Sequence, residues 1–215
     1  MLFIFFSCAA QNNNNYFPVP DSGISKDVKN EYVELGNIIE TKNGAATQMP
    51  VWLRSFLGSG IGAVEKLDAY VNKYVFIGIN EGENFTVLSK WIEYYTVTHD
   101  FPTLVAVRIG ERMYLTASLY PDDEYGAFYE TMLLNAYNAD YSSAVKEDNY
   151  WIKIKSKNSE EPSENYVFYV LITIEKNVMQ TIIRNMITKS NAAVTLTASQ
   201  NVSVNRLRNT FFEGF

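Results

Sequence analysis

The chain has a single cysteine, Cys8, and a single histidine, His99, so these two residues are the first candidates for chemistry. A nucleophilic triad requires a base held beside a serine or cysteine, and the sequence has no G-x-S-x-G elbow on which to build one. Zinc sites need several Cys or His ligands at regular spacing, which one residue of each type does not supply. The sequence therefore predicts a protein that is not an enzyme, with no metal site and no cofactor.

Polar clusters elsewhere in the chain have structural explanations that we favour. His99 precedes Asp100 at a predicted helix start, where a polar pair more often caps the helix than forms a catalytic dyad. Asp122, Asp123 and Glu124 offer oxygen ligands for calcium, but they lack the EF-hand spacing and suit the start of an apolar helix. A carboxylate pair for glycoside hydrolysis stays open, because any two of the 24 acidic residues can meet across a cleft.

The residues around Cys8 suggest a different role for it. An apolar run, M-L-F-I-F-F, and Ser7 precede the cysteine, and Gln11 with four consecutive Asn at 12–15 follows it. This N-terminus resembles a truncated secretory signal that ends in a lipobox, although its apolar segment is short and carries no Lys or Arg. The alternative is a buried N-terminal strand with Cys8 in the core. The resemblance implies that Cys8 is acylated and anchors the chain to a membrane of the bacterial cell envelope.

Composition excludes some partners and leaves others open. A net charge of −6 and a pI near 4.9 argue against nucleic acid and against a basic patch for anionic lipids, because both need clustered Lys and Arg. With 47% hydrophobic residues, the chain has enough apolar side chains for a sizeable core. Its fifteen Tyr, thirteen Phe and three Trp favour core packing, and an aromatic ligand-contact surface is the alternative. No apolar run is long enough to cross a bilayer.

Composition shifts divide the chain into a leader, a tether and one domain. We assign residues 1–8 to the signal segment with its lipobox. Residues 9–25 contain the Asn run with Pro and Gly, which predicts an extended tether of little structure. Residues 26–215 are expected to form a single α+β domain whose core is 73–189.

The domain opens with two helical patterns and then a strand. Apolar residues at three- and four-residue spacing predict helices over 26–42 and 64–71, and the glycine-rich stretch 58–62 is interpreted as a flexible connector. Residues 73–80 form a continuous apolar run of strand length. Three helices follow, each introduced by a residue that favours a helix start: Asn84, Asp100 and Pro121.

The second half of the domain contains a predicted strand pair. Residues 150–155 have the period of a strand: one side carries Tyr and Ile, and the other carries Trp followed by two Lys. Residues 166–174 form a more apolar run. The polar segment between them predicts an antiparallel pairing. A helical stripe follows over 176–189, then a weakly patterned stretch over 192–203 and an aromatic C-terminus that we expect to pack onto the domain. These elements predict an α+β fold, with a small antiparallel sheet of about three strands packed against several helices.

Three features of the core resemble a known group of proteins. They are the helix around Arg108, the acidic-then-aromatic strand entry E-D-N-Y-W at 147–151, and the run Y-V-L-I-T-I at 169–174. In this order they resemble small bacterial envelope lipoproteins related to the flagellum-associated outer-membrane proteins FlgO and FlgT. The resemblance implies an α+β fold and a non-enzymatic role in the envelope. It transfers no binding residue, because that group has no motif of catalytic residues.

The sequence supports two hypotheses for function. The first is a lipid-anchored envelope protein with a non-catalytic structural or protein-interaction role, attached through Cys8, with its domain in the periplasm or at the cell surface. Other envelope proteins are then its expected partners. The alternative is a ligand-binding lipoprotein that captures an apolar or aromatic small molecule, with Trp91, Tyr94 and Tyr95 lining the pocket.

Overall fold

The computed structural model describes residues 37–44, 49–119, 125–155, 163–213 and 215. These residues form an α+β fold, in which helices pack on both faces of a four-stranded antiparallel sheet. The strands are β1 (Asn37–Thr41), β2 (Lys73–Gly82), β3 (Val145–Lys155) and β4 (Glu164–Glu175). The helices are α1 (Val51–Ser59), α2 (Ile61–Glu65), α3 (Phe85–Tyr94), α4 (Phe101–Leu119), α5 (Ala127–Tyr137), α6 (Lys176–Ala193) and α7 (Ala198–Thr210).

The sheet has the strand order β1-β3-β4-β2, and each neighbouring pair is antiparallel. β4 lies between two strands and is buried on both faces from Val167 to Ile174, which explains its continuous apolar sequence. β3 alternates instead: Tyr150, Ile152 and Ile154 are buried, whereas the residues between them are half-buried. The predicted strand pair and its antiparallel direction are therefore confirmed.

Helices cover the two faces of the sheet unequally. α1 and α2 pack on what we call the two-helix face, where Trp52, Leu53 and Phe56 join alternate residues of β2, β3 and β4 in one core. The other helices pack on the helix-rich face, around Tyr74 and Phe76 of β2 and the opposite set of β4 residues. Burial of apolar side chains on both faces supplies the main favourable free energy of folding. Large side chains with almost no exposure come from both cores: Tyr150, Tyr169, Phe101, Phe128 and Phe211.

The sheet has one strand more than the three or so that the sequence predicted. Residues 37–41, assigned to the end of a helix over 26–42, form β1 along the outer edge of β3. The helical prediction is wrong for these residues, because the spacing of Ile38 and Ile39 fits a strand as well as a helix. The edge of β3 supplies backbone hydrogen-bond partners, which no local sequence pattern reveals. A register shift between Ile38 and Glu40 accommodates the pairing.

Two predictions before β2 need correction. The helix expected over 64–71 ends at Glu65, and turns occupy the residues from there to β2. The stretch 58–62, interpreted as a flexible connector, is helical on both sides of Gly60, whose φ of 76° allows the sharp junction between α1 and α2. Local spacing missed this junction because a pattern of apolar residues does not record where the chain changes direction.

Two later helices begin where the sequence did not place them. The helix expected from Pro121 begins at Ala127, and Pro121 itself lies outside the described residues. The weakly patterned stretch 192–203 contains the start of α7. The signal for that start is a capping box, in which Thr197 and Gln200 each accept a hydrogen bond from the backbone N–H of the other.

Two local predictions are confirmed. Asn84 caps α3, because its side-chain oxygen accepts a hydrogen bond from the Val87 backbone N–H at 3.1 Å. The aromatic C-terminus packs onto the domain, where Phe211 and Phe215 are buried with their ring centroids 5.2 Å apart. The end of the described chain is therefore part of the helix-rich core.

Some of the sequence-based predictions fall on residues outside the described ranges. These are the acylation of Cys8, the tether over 9–25 and the acidic cluster of Asp122, Asp123 and Glu124. They stay predictions. Within the described part of the chain, no helix has both the length and the apolar character needed to cross a membrane.

Candidate functional site

The three aromatic residues proposed for ligand binding lie at the C-terminal end of α3. Trp91 and Tyr95 are in edge-to-face contact, with ring centroids 5.2 Å apart, because residues four apart share one side of a helix. Tyr95 is 6% exposed and belongs to the helix-rich core, whereas Tyr94 is 71% exposed. The structure therefore brings Trp91 and Tyr95 together and leaves Tyr94 in solvent. The three residues do not share one surface, and the ligand-binding hypothesis stays a prediction.

Tyr95 fills a space that a glycine in β2 leaves open. Its hydroxyl oxygen lies 3.1 Å from the position that a Cβ atom on Gly78 would occupy, which gives Gly78 a packing role. The hydroxyl has no hydrogen-bond partner among the described residues, and burial raises the pKa of Tyr95. The Lys146 ammonium donates to the carbonyl oxygens of Ile92 and Tyr95, at 2.6 and 3.2 Å. These contacts fasten the end of α3 to the sheet.

A buried ion pair closes the outer edge of β2. The Glu65 carboxylate accepts hydrogen bonds from the Val75 N–H at 2.9 Å and from both terminal nitrogens of Arg108. Arg108 also donates to the Val75 carbonyl oxygen at 2.9 Å. These side chains satisfy backbone groups at the edge of the sheet, where an unprotected strand invites pairing with another chain. The pair joins α4 on the helix-rich face to α2 on the two-helix face.

The two buried arginines of α4 both hold other parts of the fold. Arg112 donates from Nε to the Phe211 carbonyl oxygen at 2.8 Å and from Nη2 to the Thr210 carbonyl oxygen, so it caps the C-terminal end of α7. The guanidinium of Arg108 lies over three rings, with centroid distances of 4.6 Å to Phe215, 5.0 Å to Phe76 and 5.3 Å to Tyr74. The sequence signal for these roles is a pair of arginines four residues apart in a mostly apolar helix.

The acidic entry of β3 forms a bonded cluster at the edge of the two-helix core. Glu147 lies in a bulge and accepts hydrogen bonds from the Lys73 ammonium and the Thr173 hydroxyl, each at 2.7 Å. These two bonds lower the pKa of Glu147, and the bond to Glu147 raises the pKa of Lys73. Asp148 accepts a hydrogen bond from the indole N–H of Trp52 at 2.8 Å. Both carboxylates therefore bind groups of the fold.

His99 and Asp100 belong to a hydrogen-bonded turn before α4. The His99 side chain is 89% exposed, and its Nδ1 lies 3.1 Å from one carboxylate oxygen of Asp100. The other carboxylate oxygen accepts a hydrogen bond from the Thr96 N–H at 2.8 Å, and the Thr96 hydroxyl accepts one from the His99 N–H at 3.3 Å. These bonds close a turn over residues 96–100, directly before α4 begins at Phe101. The bonded groups therefore have partners within that turn, and capping of the helix by this pair stays a prediction.

A cluster of four aromatic rings lies at one end of the helix-rich face. Phe85 makes edge-to-face contacts with Trp151 and Tyr166, both at 5.2 Å between centroids, and with Phe168 at 5.4 Å. Trp151 also stacks on Phe168 at 6.2 Å. Phe168 is buried, whereas Phe85 is 39% exposed and Trp151 and Tyr166 are half-buried. We call the three partly exposed residues, Phe85, Trp151 and Tyr166, the aromatic patch.

The aromatic patch exists because α4 to α7 do not cover β3 as fully as they cover β4. Trp151 pairs with Phe168 and Lys153 with Tyr166, so these four residues share one face of the sheet. The Lys153 ammonium lies 5.2 Å from the centroid of the Tyr166 ring and 2.7 Å from the Glu164 carboxylate. The sequence indicated the patch only through the side of β3 that carries Trp151 and Lys153. Phe85 comes from a distant part of the chain, so its contact with that side was not visible in the sequence.

Comparison of the chain with protein-family models, with curated proteins and with solved structures finds no match. The resemblance to envelope lipoproteins therefore rests on its sequence features alone and stays a prediction. In the fold, Arg108 pairs with Glu65, the acidic strand entry contains the bulge of β3, and residues 169–174 lie in the second half of β4. Among the residues that the structure describes, no three or more His, Cys, Asp or Glu side chains form a group that could hold a metal ion.

Proposed function

We propose that the chain is a lipid-anchored protein of the bacterial cell envelope with a non-catalytic role, whose folded domain acts through contacts with other envelope components. Cys8 is the anchor, since the residues around it resemble a lipobox. The domain that follows lies in the periplasm or at the cell surface. Its role is structural or a protein interaction.

The observation that carries the non-catalytic role is the way in which the fold uses its charged side chains. Arg108 and Glu65 close the edge of β2, Arg112 caps α7, and Glu147 binds Lys73 and a strand hydroxyl. A general acid or base needs to reach a substrate. These groups instead bind the backbone or one another. The aromatic patch offers a partly exposed apolar surface, which is typical of an interaction site.

Acylation of Cys8 is the part of the proposal that is tested most directly. The full chain, expressed in a bacterial host fed with an alkyne-bearing fatty acid, should carry the label and sediment with membranes. Cys8→Ala should be unlabelled and should move to the soluble fraction. Ser7→Ala is the matched control, because it keeps a small residue before the cysteine and should stay labelled. Equal membrane partitioning of Cys8→Ala and the wild type would show that the anchoring proposal is wrong.

The resemblance to the lipoproteins related to FlgO and FlgT extends the proposal to a location at the outer membrane. Inner and outer membranes of the same host separate by density. The labelled wild-type chain should be recovered with the outer membrane. Recovery of the label in the inner-membrane fraction contradicts this location and leaves acylation of Cys8 intact as a separate result.

A further inference from the structure

The aromatic patch lies at the end of the sheet where the N-terminal part of the chain joins the domain. Asn37, the first residue of β1, pairs with Lys155 at the end of β3. Two residues away along β3, Lys153 pairs with Tyr166 of the patch. At about 3.4 Å per residue, Asn37 is therefore roughly 7 Å along the strands from the row that contains Tyr166. The chain between Cys8 and the domain enters beside the patch.

The length of that connection sets how far the domain can lie from an anchor at Cys8. Residues 9–36, which are 28 residues, separate Cys8 from Asn37. Even fully extended, 28 residues span no more than about 100 Å. An acylated Cys8 therefore holds the domain within about that distance of the bilayer, and the end of the sheet with the patch is the end to which the anchor is connected.

The side chains of the patch suit the interface between lipid headgroups and water. Trp and Tyr rings are enriched at that depth, because each combines a large apolar body with a polar group. Two further apolar side chains are exposed on the elements that adjoin the patch in the chain or in the sheet: Val87 on α3 is 60% exposed, and Ile39 in β1 is 46% exposed. The Lys153 ammonium lies 5.2 Å from the centroid of the Tyr166 ring, and a lysine stem is long enough to carry its ammonium to a lipid phosphate.

The charge around the patch indicates how a bilayer would be bound. Lys153 is paired with Glu164, and the chain as a whole has a net charge of −6. Attraction to anionic lipids is therefore weak, and the contact depends on shallow insertion of aromatic rings. Such a contact adds a second signal to a single lipid anchor, and peripheral proteins commonly need two signals for stable attachment.

We propose that the aromatic patch is a membrane-contact surface, which lies against the lipid headgroups of the bilayer that holds Cys8. This inference rests on the proposed function, because the anchor brings the domain to the bilayer. Contact at the patch fixes the orientation of the domain: the end of the sheet with Phe85, Trp151 and Tyr166 faces the membrane. A soluble protein partner is the other occupant that an aromatic surface suits, and the test separates the two.

The test uses the acylated full chain in vesicles of phosphatidylethanolamine and phosphatidylglycerol, with and without bromine atoms on the acyl chains. Bromine quenches tryptophan fluorescence only at short range. Trp151 in the patch should be quenched, whereas Trp52, which is 4% exposed on the two-helix face, should not. Trp151→Phe keeps an aromatic ring and should lose the quenched component, which assigns the signal to this residue rather than to Trp91.

Matched variants separate the patch from the rest of the surface. Phe85→Ser should remove most of the quenching of Trp151, because it deletes the outermost ring of the cluster. Tyr137→Ser replaces an aromatic residue on α5 that is 49% exposed, and it should leave the quenching unchanged. Circular dichroism checks that each variant is folded. If Phe85→Ser does not fold, Tyr166→Ser takes its place and should give the same loss of quenching, since Tyr166 is a half-buried member of the patch.

The failure of this inference is distinguishable from failure of the anchor. The mass of the peptide that contains Cys8 reports acylation, whereas quenching reports the patch. An acylated chain with unquenched Trp151 in these protein-free vesicles overturns membrane contact and favours a protein partner. Quenching that survives in Trp151→Phe comes from another tryptophan, and it overturns the assignment of the membrane contact to the aromatic patch. If Cys8 carries no acyl group, the anchoring proposal is wrong, and this inference, which rests on the anchor, is overturned with it.

Discussion

The two faces of β3 have different surroundings, although they belong to one strand. On the two-helix face, Tyr150, Ile152 and Ile154 are buried under α1 and α2. On the helix-rich face, Trp151 and Lys153 are half-buried, and near its end the strand is covered by Phe85. Five helices pack on that side of the sheet, yet they cover β2 and β4 more completely than β3.

The difference separates side chains that hold the fold from side chains that are free to contact something else. On the two-helix face, apolar side chains fill the core, and the acidic groups at its edge bind a tryptophan, a lysine and a threonine. On the helix-rich face, rings at the end of the sheet stay partly exposed. We therefore expect substitutions on the first face to change stability, and substitutions in the aromatic patch to change binding with little change in stability.

The sharpest test of this comparison uses one phenylalanine from each side of β3. Phe56 is 1% exposed and packs edge-to-face on Tyr169, so Phe56→Ala should lower the free energy of unfolding by about 3–5 kcal/mol. Phe85 is 39% exposed, and Phe85→Ala should cost about 1 kcal/mol. Urea unfolding followed by circular dichroism measures both values. Equal losses for the two variants would remove the distinction between the faces.

The ion pair at the edge of β2 joins the two faces, so its loss should affect both. Arg108→Met leaves the Glu65 carboxylate buried without its cation and the Val75 carbonyl oxygen without a donor. The free energy of unfolding should fall by about 3–5 kcal/mol. Arg54→Met, on the exposed side of α1, is the control and should change stability by less than about 0.5 kcal/mol. Similar small effects for both variants would contradict a role in closing the edge.

The contact between Gly78 and Tyr95 tests how tightly the helix-rich face is packed away from the patch. A Cβ atom at residue 78 meets the Tyr95 hydroxyl at 3.1 Å, so Gly78→Ala should cost about 1–3 kcal/mol. Tyr95→Phe removes a buried hydroxyl without a partner in the described structure and should be neutral or stabilise by up to about 1 kcal/mol. In the double variant the cost of Gly78→Ala should shrink. Thermal unfolding of all three variants measures the coupling, and strict additivity would exclude it.

Two glutamates, one in the bulge of β3 and one on α4, should respond to pH with opposite signs. Hydrogen bonds from Lys73 and then Thr173 lower the pKa of Glu147, so its stabilisation is present above the ordinary value of 4.5 and is lost as the pH falls through the lowered pKa. Burial raises the pKa of Glu111 and outweighs the opposing effect of Arg108, so stability is lost as the pH rises from 4.5 through the raised pKa.

Glutamine substitutions measure these two contributions. At about pH 7, Glu147→Gln should lower the free energy of unfolding by up to about 1 kcal/mol, because the ion pair with Lys73 is partly exposed to solvent. Glu111→Gln should raise it at the same pH. Both differences from the wild type should shrink as the pH is lowered towards about 3, where carboxylates become protonated. Urea unfolding across this range measures both differences in the free energy of unfolding. If the two substitutions change it in the same direction, one of the two pKa assignments is wrong.

Local patterns in the sequence predicted the elements that depend on local spacing. The alternation of β3 and the continuous apolar run of β4 record how many faces of each strand are buried. Asn84 signalled the start of α3 by its capping preference. β1 was missed, because a five-residue strand at the edge of the sheet is stabilised by its neighbour rather than by its own composition.

The candidate site was only partly predictable. The aromatic content and the polar-edged side of β3 were visible in the sequence, but Trp91, Tyr94 and Tyr95 were chosen for their closeness along the chain. Tyr95 packs inward on Gly78, and Tyr94 points to solvent. The aromatic patch combines a residue that begins α3 with residues from two strands more than sixty positions later. No local period connects such residues.

The sequence by itself determined the α+β class and the residues that each strand turns towards a core, because side-chain burial follows the period of the backbone. It also supplied the lipobox resemblance at Cys8, which is a local motif. The tertiary structure alone decided that Arg108 meets Glu65 across the edge of β2, and that Phe85 meets Trp151 and Tyr166. These contacts depend on the order and direction of the strands and helices. That topology is stabilised by contacts between residues far apart in sequence.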